Sequence, residues 1–135
     1  MSKLTTIVLW IAKIVAAIIM LQTLYFKFSA SPESVYIFTT VGLEPVGRIG
    51  IGTLELIASI LILIPSTAYL GAGLALGLMA GALGMHATIL GVQIMNDGGQ
   101  LFAYALIVAV CSAVILWIER KKILALIQLV LPKKV

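Results

Sequence analysis

The run GRIGIGTLELIASILILIP, residues 47–65, decides how this chain is read. It is apolar apart from Arg48, Thr53, Glu55 and Ser59, and Pro65 stops it. About 20 mostly apolar residues are what a helix needs to cross a bilayer, so residues 47–64 form a membrane span. Arg48, Gly52, Glu55 and Ser59 follow one another at spacings of 4, 3 and 4, and at about 100° per residue they form one narrow stripe. A charge facing hydrocarbon costs roughly 3 kcal/mol or more. The stripe therefore faces other helices or enclosed water, and the fold is a helical bundle. Glu55 is either a working carboxylate or one satisfied structurally by a neighbouring helix.

The rest of the chain agrees with that start. Of its 135 residues, 62% are hydrophobic and 10% charged, and the mean hydropathy is +1.21. A soluble domain carries about 25% charged residues, so these charges are too few to coat a soluble globule. Intrinsic disorder, a nucleic-acid-binding module and a large catalytic scaffold are excluded as well. Residues 4–28, 68–94 and 101–118 supply three further spans, the first interrupted by Lys13. The expectation is an all-α integral membrane four-helix bundle, one domain over residues 1–135. No small-x-small cleavage site follows the first apolar run, so it reads as a retained span. Cys111 is the one cysteine, which excludes an intrachain disulfide, a CxxC redox pair and a thiolate metal cage. With one histidine besides, no metal or haem site is expected.

With four spans, both termini and the Pro65 hairpin share a side. That side carries Lys3, Arg120, Lys121, Lys122, Lys133 and Lys134, while the other has Lys27 and Arg48 offset by Glu33, Glu44 and Asp97. The positive-inside rule then places both termini in the cytoplasm of a multi-pass plasma (inner) membrane protein. In the long first loop, Ser31-Pro32-Glu33 reads as N-cap, N1 proline and acidic first turn of a short surface helix ending near Gly42. Asn96-Asp97-Gly98-Gly99 is a turn. Residues 119–135 form a basic amphipathic tail. Its apolar part, residues 123–131, is either an interfacial helix on anionic lipid or an extension of the fourth span.

Four side chains converge on a candidate polar pocket in the outer half of the bundle. His86 shares a face with Met79 and Gln93 and lies about eight residues from the outer end of its span. Glu55 is similarly deep, so the two are expected within direct or one-water hydrogen-bonding reach. The alternative for His86 is a packing histidine bonded locally. Lys27 and Arg48 stand nearer the surface as the mouth of the pocket. Tyr104 either closes the cluster through its hydroxyl or belongs to the interfacial aromatic belt. Lys13, Ala17, Met20, Leu24 and Lys27 form one face of the first span, with Lys13 read as snorkelling to the inner headgroups. Gly73, Gly77 and Gly81 repeat G-x-x-x-G, a spacing that lets helices approach closely in lipid. They lie opposite His86, so they meet either a second subunit or one neighbouring helix.

Leu24-Tyr25-Phe26-Lys27-Phe28, Glu33, Gly42-Leu43-Glu44-Pro45, Arg48-Ile49-Gly50 and Gly52-Thr53-Leu54-Glu55-Leu56, followed by the Pro65 break, the glycine-rich third span and His86, resemble the DoxX-like membrane proteins. The resemblance implies a compact four-helix bundle and a link to quinone-dependent sulfur oxidation or oxidative-stress systems. It associates Lys27, Arg48, Glu55 and His86 with a family site. The expected function is a subunit of a membrane redox system that binds a quinone or lipid-like molecule and draws electrons from a partner protein. Alternatives are a non-enzymatic assembly subunit, homo-oligomeric or docked on another membrane protein, and a small proton-coupled transporter.

Overall fold

A computed structural model describes residues 1–131; Lys133 and Lys134 of the expected tail lie outside the described residues. The described chain is helical: α1 (Lys3–Phe28), α2 (Pro32–Thr40), α3 (Val46–Leu63), α4 (Ala68–Met85), α5 (Gln100–Ile118) and α6 (Arg120–Val130). A π-helical turn, His86–Leu90, continues α4. Four of these helices are long and apolar enough to cross a membrane: α1, α3, α4 with its π turn, and α5.

Local chemistry sets the ends. Ser2 caps α1 through a bond from the Thr5 N–H, and Ser31 caps α2 from Ser34 with Pro32 in the first turn. The expected short helix is therefore present, ending at Thr40 just before Gly42. The third span is shorter than expected, stopping at Leu90 instead of residue 94. Gly91 takes φ +75°, a left-handed conformation that suits glycine and ends a helix. Ile94 is buried in the following loop rather than in a helix. Asp97 organises that loop by accepting the N–H groups of Ile94 (3.0 Å), Gly99 (2.8 Å) and Leu101 (3.2 Å).

The helices α1, α3, α4 and α5 form a closed ring in that order, α1 packing on α3 and α5, and α4 on the same two. The shared interior is built largely from alanine: Ala12, Ala16, Ala58, Ala68, Ala72, Ala75 and Ala105 join Met20, Ile62, Val108 and Ile115. Small side chains allow the helix axes to approach, the main source of cohesion where lipid removes the hydrophobic drive. A close approach of two helix backbones is at Gly71, where a Cβ would stand 2.7 Å from both the Ala58 carbonyl oxygen and the Ile62 nitrogen. Gly73, Gly77 and Gly81 do not pack a neighbouring helix. They are exposed, and a Cβ on any of them would meet nothing.

α6 is a separate helix, not a continuation of α5: the chain breaks at Glu119, with φ −97° and ψ 18°. Lys122 Nζ donates to the Pro65 carbonyl at 3.3 Å, and the start of α1 lines a groove with the α5–α6 corner, so the Pro65 turn, the start of α1 and α6 share one end of the ring. That end is called here the termini end, and the opposite end the far end.

Candidate functional site

The polar stripe of α3 points inward, as its spacing requires: Arg48, Gly52, Glu55 and Ser59 are all buried. So does the α1 face of Lys13, Ala17, Met20 and Leu24. Where the two faces meet in the far half, Lys27 Nζ lies 2.9 Å from Glu55 Oε1, with side chains 16% and 3% exposed. The Thr23 hydroxyl, one turn before Lys27, donates to Glu55 Oε2 at 3.0 Å. Both carboxylate oxygens thus have α1 partners, and the ion pair welds α1 to α3.

Beside this pair lies a cavity of about 440 Å³, within the range of small-molecule pockets. All four spanning helices contribute walls, and α2 lies over it through Ser34, Ile37 and Phe38. Most of the lining is apolar. The polar groups facing it include Thr23, Lys27, Glu55, His86, Gln100 and Tyr104.

The candidate residues fall into two groups. Glu55, His86, Lys27 and Tyr104 do share this cavity. Glu55 and His86 are not bonded to one another, however. His86 Nδ1 pairs with the Gly91 carbonyl at 2.7 Å, and its ring meets Phe102 edge-on at 5.4 Å between centroids. The cause is the π turn, which begins at His86 and ends at Gly91; it brings the carbonyl of the helix end back onto the imidazole. Lys27 is a member of the central pair, not the mouth of a pocket. Arg48 is absent from the cavity wall: its Nε donates to both Glu44 oxygens, at 2.9 and 3.1 Å, and its Nη1 to the Lys27 carbonyl. It clamps the entry to α3 against the end of α1. The Tyr104 hydroxyl accepts from Gln100 Nε2 at 2.8 Å while lining the cavity.

A second buried pair, which the sequence pattern does not disclose, lies at the termini end. Lys13 does not snorkel. It is 2% exposed, 3.9 Å from Glu119 Oε1, with its ammonium 4.4 Å from the Trp10 ring centroid. Glu119 also faces Lys122 at 3.6 Å, and its Oε2 has no hydrogen-bond partner among the described residues. The available signal was its i+7 relation to Ser112, which puts it on the buried face of α5. Thr23 was similarly legible as i−4 from Lys27, and Glu44 as i−4 from Arg48.

Asp97 also borders the cavity. Partial burial pushes its carboxyl up, but bonds from the Ile94, Gly99, Leu101 and Gln100 backbone outweigh this and hold it below the usual carboxylate range. Among the described residues, no three His, Cys, Asp or Glu side chains gather as a metal site. Comparison with known protein families, curated proteins and solved structures gave no significant match.

Proposed function

We propose that this chain is a small membrane subunit of a redox system that holds a quinone or similar carbonyl-bearing amphiphile in the far-half cavity. The observation that carries the reading is the Lys27–Glu55 pair set in the wall of a largely apolar cavity. Such a wall accepts a ring and the start of a hydrocarbon tail, while the Lys27 ammonium, with three donors, offers N–H groups to a ligand carbonyl beyond its contact with Glu55. Glu55, relayed by Thr23, and His86 are the groups placed to give or take protons at the ligand. One histidine and one cysteine are too few for a haem or metal cage, and the reading takes its electrons from a partner protein. The resemblance to DoxX-like proteins supports the same assignment. The basic residues at the termini end support a plasma-membrane orientation with both termini cytoplasmic.

Solvent extraction of the protein purified from native membranes, followed by mass spectrometry, tests the proposal. About one quinone per chain is expected in the wild type and much less in Glu55→Gln. Phospholipid alone, with no quinone, would overturn the redox assignment.

A further inference from the structure

Arg120, Lys121 and Lys122 are consecutive, yet the structure gives them two different directions. Lys122 turns toward the bundle, reaching Glu119 and the Pro65 carbonyl. Arg120 and Lys121 instead line an open groove between the start of α1 and the α5–α6 corner, walled by Leu4, Val8, Trp117 and Ile118. Arg120 is fixed there: Nη1 donates to the Trp117 carbonyl at 2.7 Å, and the guanidinium lies 4.5 Å from the Trp117 ring centroid. A guanidinium has five N–H donors, so most of its capacity remains for a ligand.

The charge balance of the chain indicates which ligand. It has five acidic residues. Glu33, Glu44 and Asp97 belong to far-end segments, Glu55 is paired with Lys27, and Glu119 with Lys13 and Lys122. None forms an ion pair with Arg120 or Lys121 among the described residues, and both are exposed, which suits them to an anion from outside the chain. The groove also needs an apolar partner, since Leu4 is 71% and Trp117 68% exposed. It sits where α5 ends and α1 begins, at the ends of two helices long and apolar enough to span, where headgroups would meet acyl chains.

We propose that this groove is a binding site for an anionic phospholipid, its phosphate on Arg120 and Lys121 and its upper acyl chain along Leu4, Val8 and Trp117. The site is separate from the far-half cavity and does not depend on what that cavity binds. Phosphate and apolar wall are both needed, which distinguishes a lipid from free phosphate.

Trp117 is a local reporter. A Trp10→Phe variant leaves it as the single tryptophan, and the protein is reconstituted in phosphatidylcholine vesicles. A minor fraction of phosphatidylglycerol brominated high on its acyl chains is compared with equally brominated phosphatidylcholine. Each basic residue near an anionic headgroup is worth roughly a fivefold preference, so the pair predicts roughly 25-fold tighter association of the anionic lipid. Trp117 should therefore be quenched at much lower fractions of brominated phosphatidylglycerol. Arg120→Gln with Lys121→Gln, both exposed positions, should equalise the two lipids, and millimolar inorganic phosphate should leave the preference intact. Equal quenching in the parent protein would overturn the proposal. So would a preference that survives the double substitution or vanishes with inorganic phosphate.

Discussion

Substituting Glu55 by glutamine leaves its shape and removes one charge from a contact of 2.9 Å between side chains 3% and 16% exposed. At an effective dielectric of about 20, the Coulomb attraction at that distance is about 6 kcal/mol. Desolvation of the two ions offsets much of it, and removing one member of a buried pair costs roughly 3–5 kcal/mol because the other charge is stranded. Lys27 keeps some contact with the cavity and any water there, which reduces the expected loss to about 2–3 kcal/mol. Lys27→Met should cost a similar amount, since it leaves Glu55 with the Thr23 hydroxyl alone. The double variant should be no worse than either single one, giving a coupling of about 2 kcal/mol in the double-mutant cycle. Reversible unfolding in mixed micelles by added dodecyl sulfate measures all four proteins. Additivity within about 0.5 kcal/mol would refute the claim that this pair joins α1 to α3.

Gly71→Ala should destabilise by about 1–3 kcal/mol, because its Cβ meets the α3 backbone at 2.7 Å. Gly77→Ala meets nothing and should gain up to about 1 kcal/mol of helix propensity; the same titration compares them. Lys13→Met should cost about 1–2 kcal/mol, because Glu119 loses one of its two cations and keeps Lys122 at 3.6 Å; a neutral Lys13→Met would return Lys13 to a snorkelling role. Asp97 has a folded-state carboxyl below its usual range, so its contribution is complete above the ordinary carboxylate pKa and is lost as pH falls through the lower folded value. Hydrogen exchange at the Ile94, Gly99 and Leu101 amides, corrected for the intrinsic pH dependence, should lose protection below about pH 4, and in Asp97→Ala at any pH.

The inward stripes of α1 and α3 were legible because few polar residues interrupt long apolar runs, and a helix has one period on which to place them. Partners were less legible. Depth counted from a span end at residue 94 pairs Glu55 with His86, whereas Gly91 ends the helix and the π turn gives His86 a backbone acceptor. Lys27 stands at a span boundary and so reads as a surface cation, although its long side chain reaches Glu55. Glu119 reads as part of a basic tail, since nothing in Ile-Glu-Arg-Lys-Lys marks the break that turns its carboxylate inward. The G-x-x-x-G row recorded a smooth helix face but not which way it looks, and the tight contact falls at Gly71, outside that row.

Titration of a short-chain quinone into the purified protein, followed by intrinsic fluorescence or calorimetry, tests most directly whether the far-half cavity is a ligand site. Saturable binding is predicted for the wild type, at least about tenfold weaker in Glu55→Gln, a loss of roughly 1.4 kcal/mol. It should be abolished in Ala82→Trp, which fills the cavity from the α4 wall and leaves both members of the ion pair in place. Wild-type affinity in a folded Ala82→Trp protein, or no saturable binding to the wild type, would contradict the assignment.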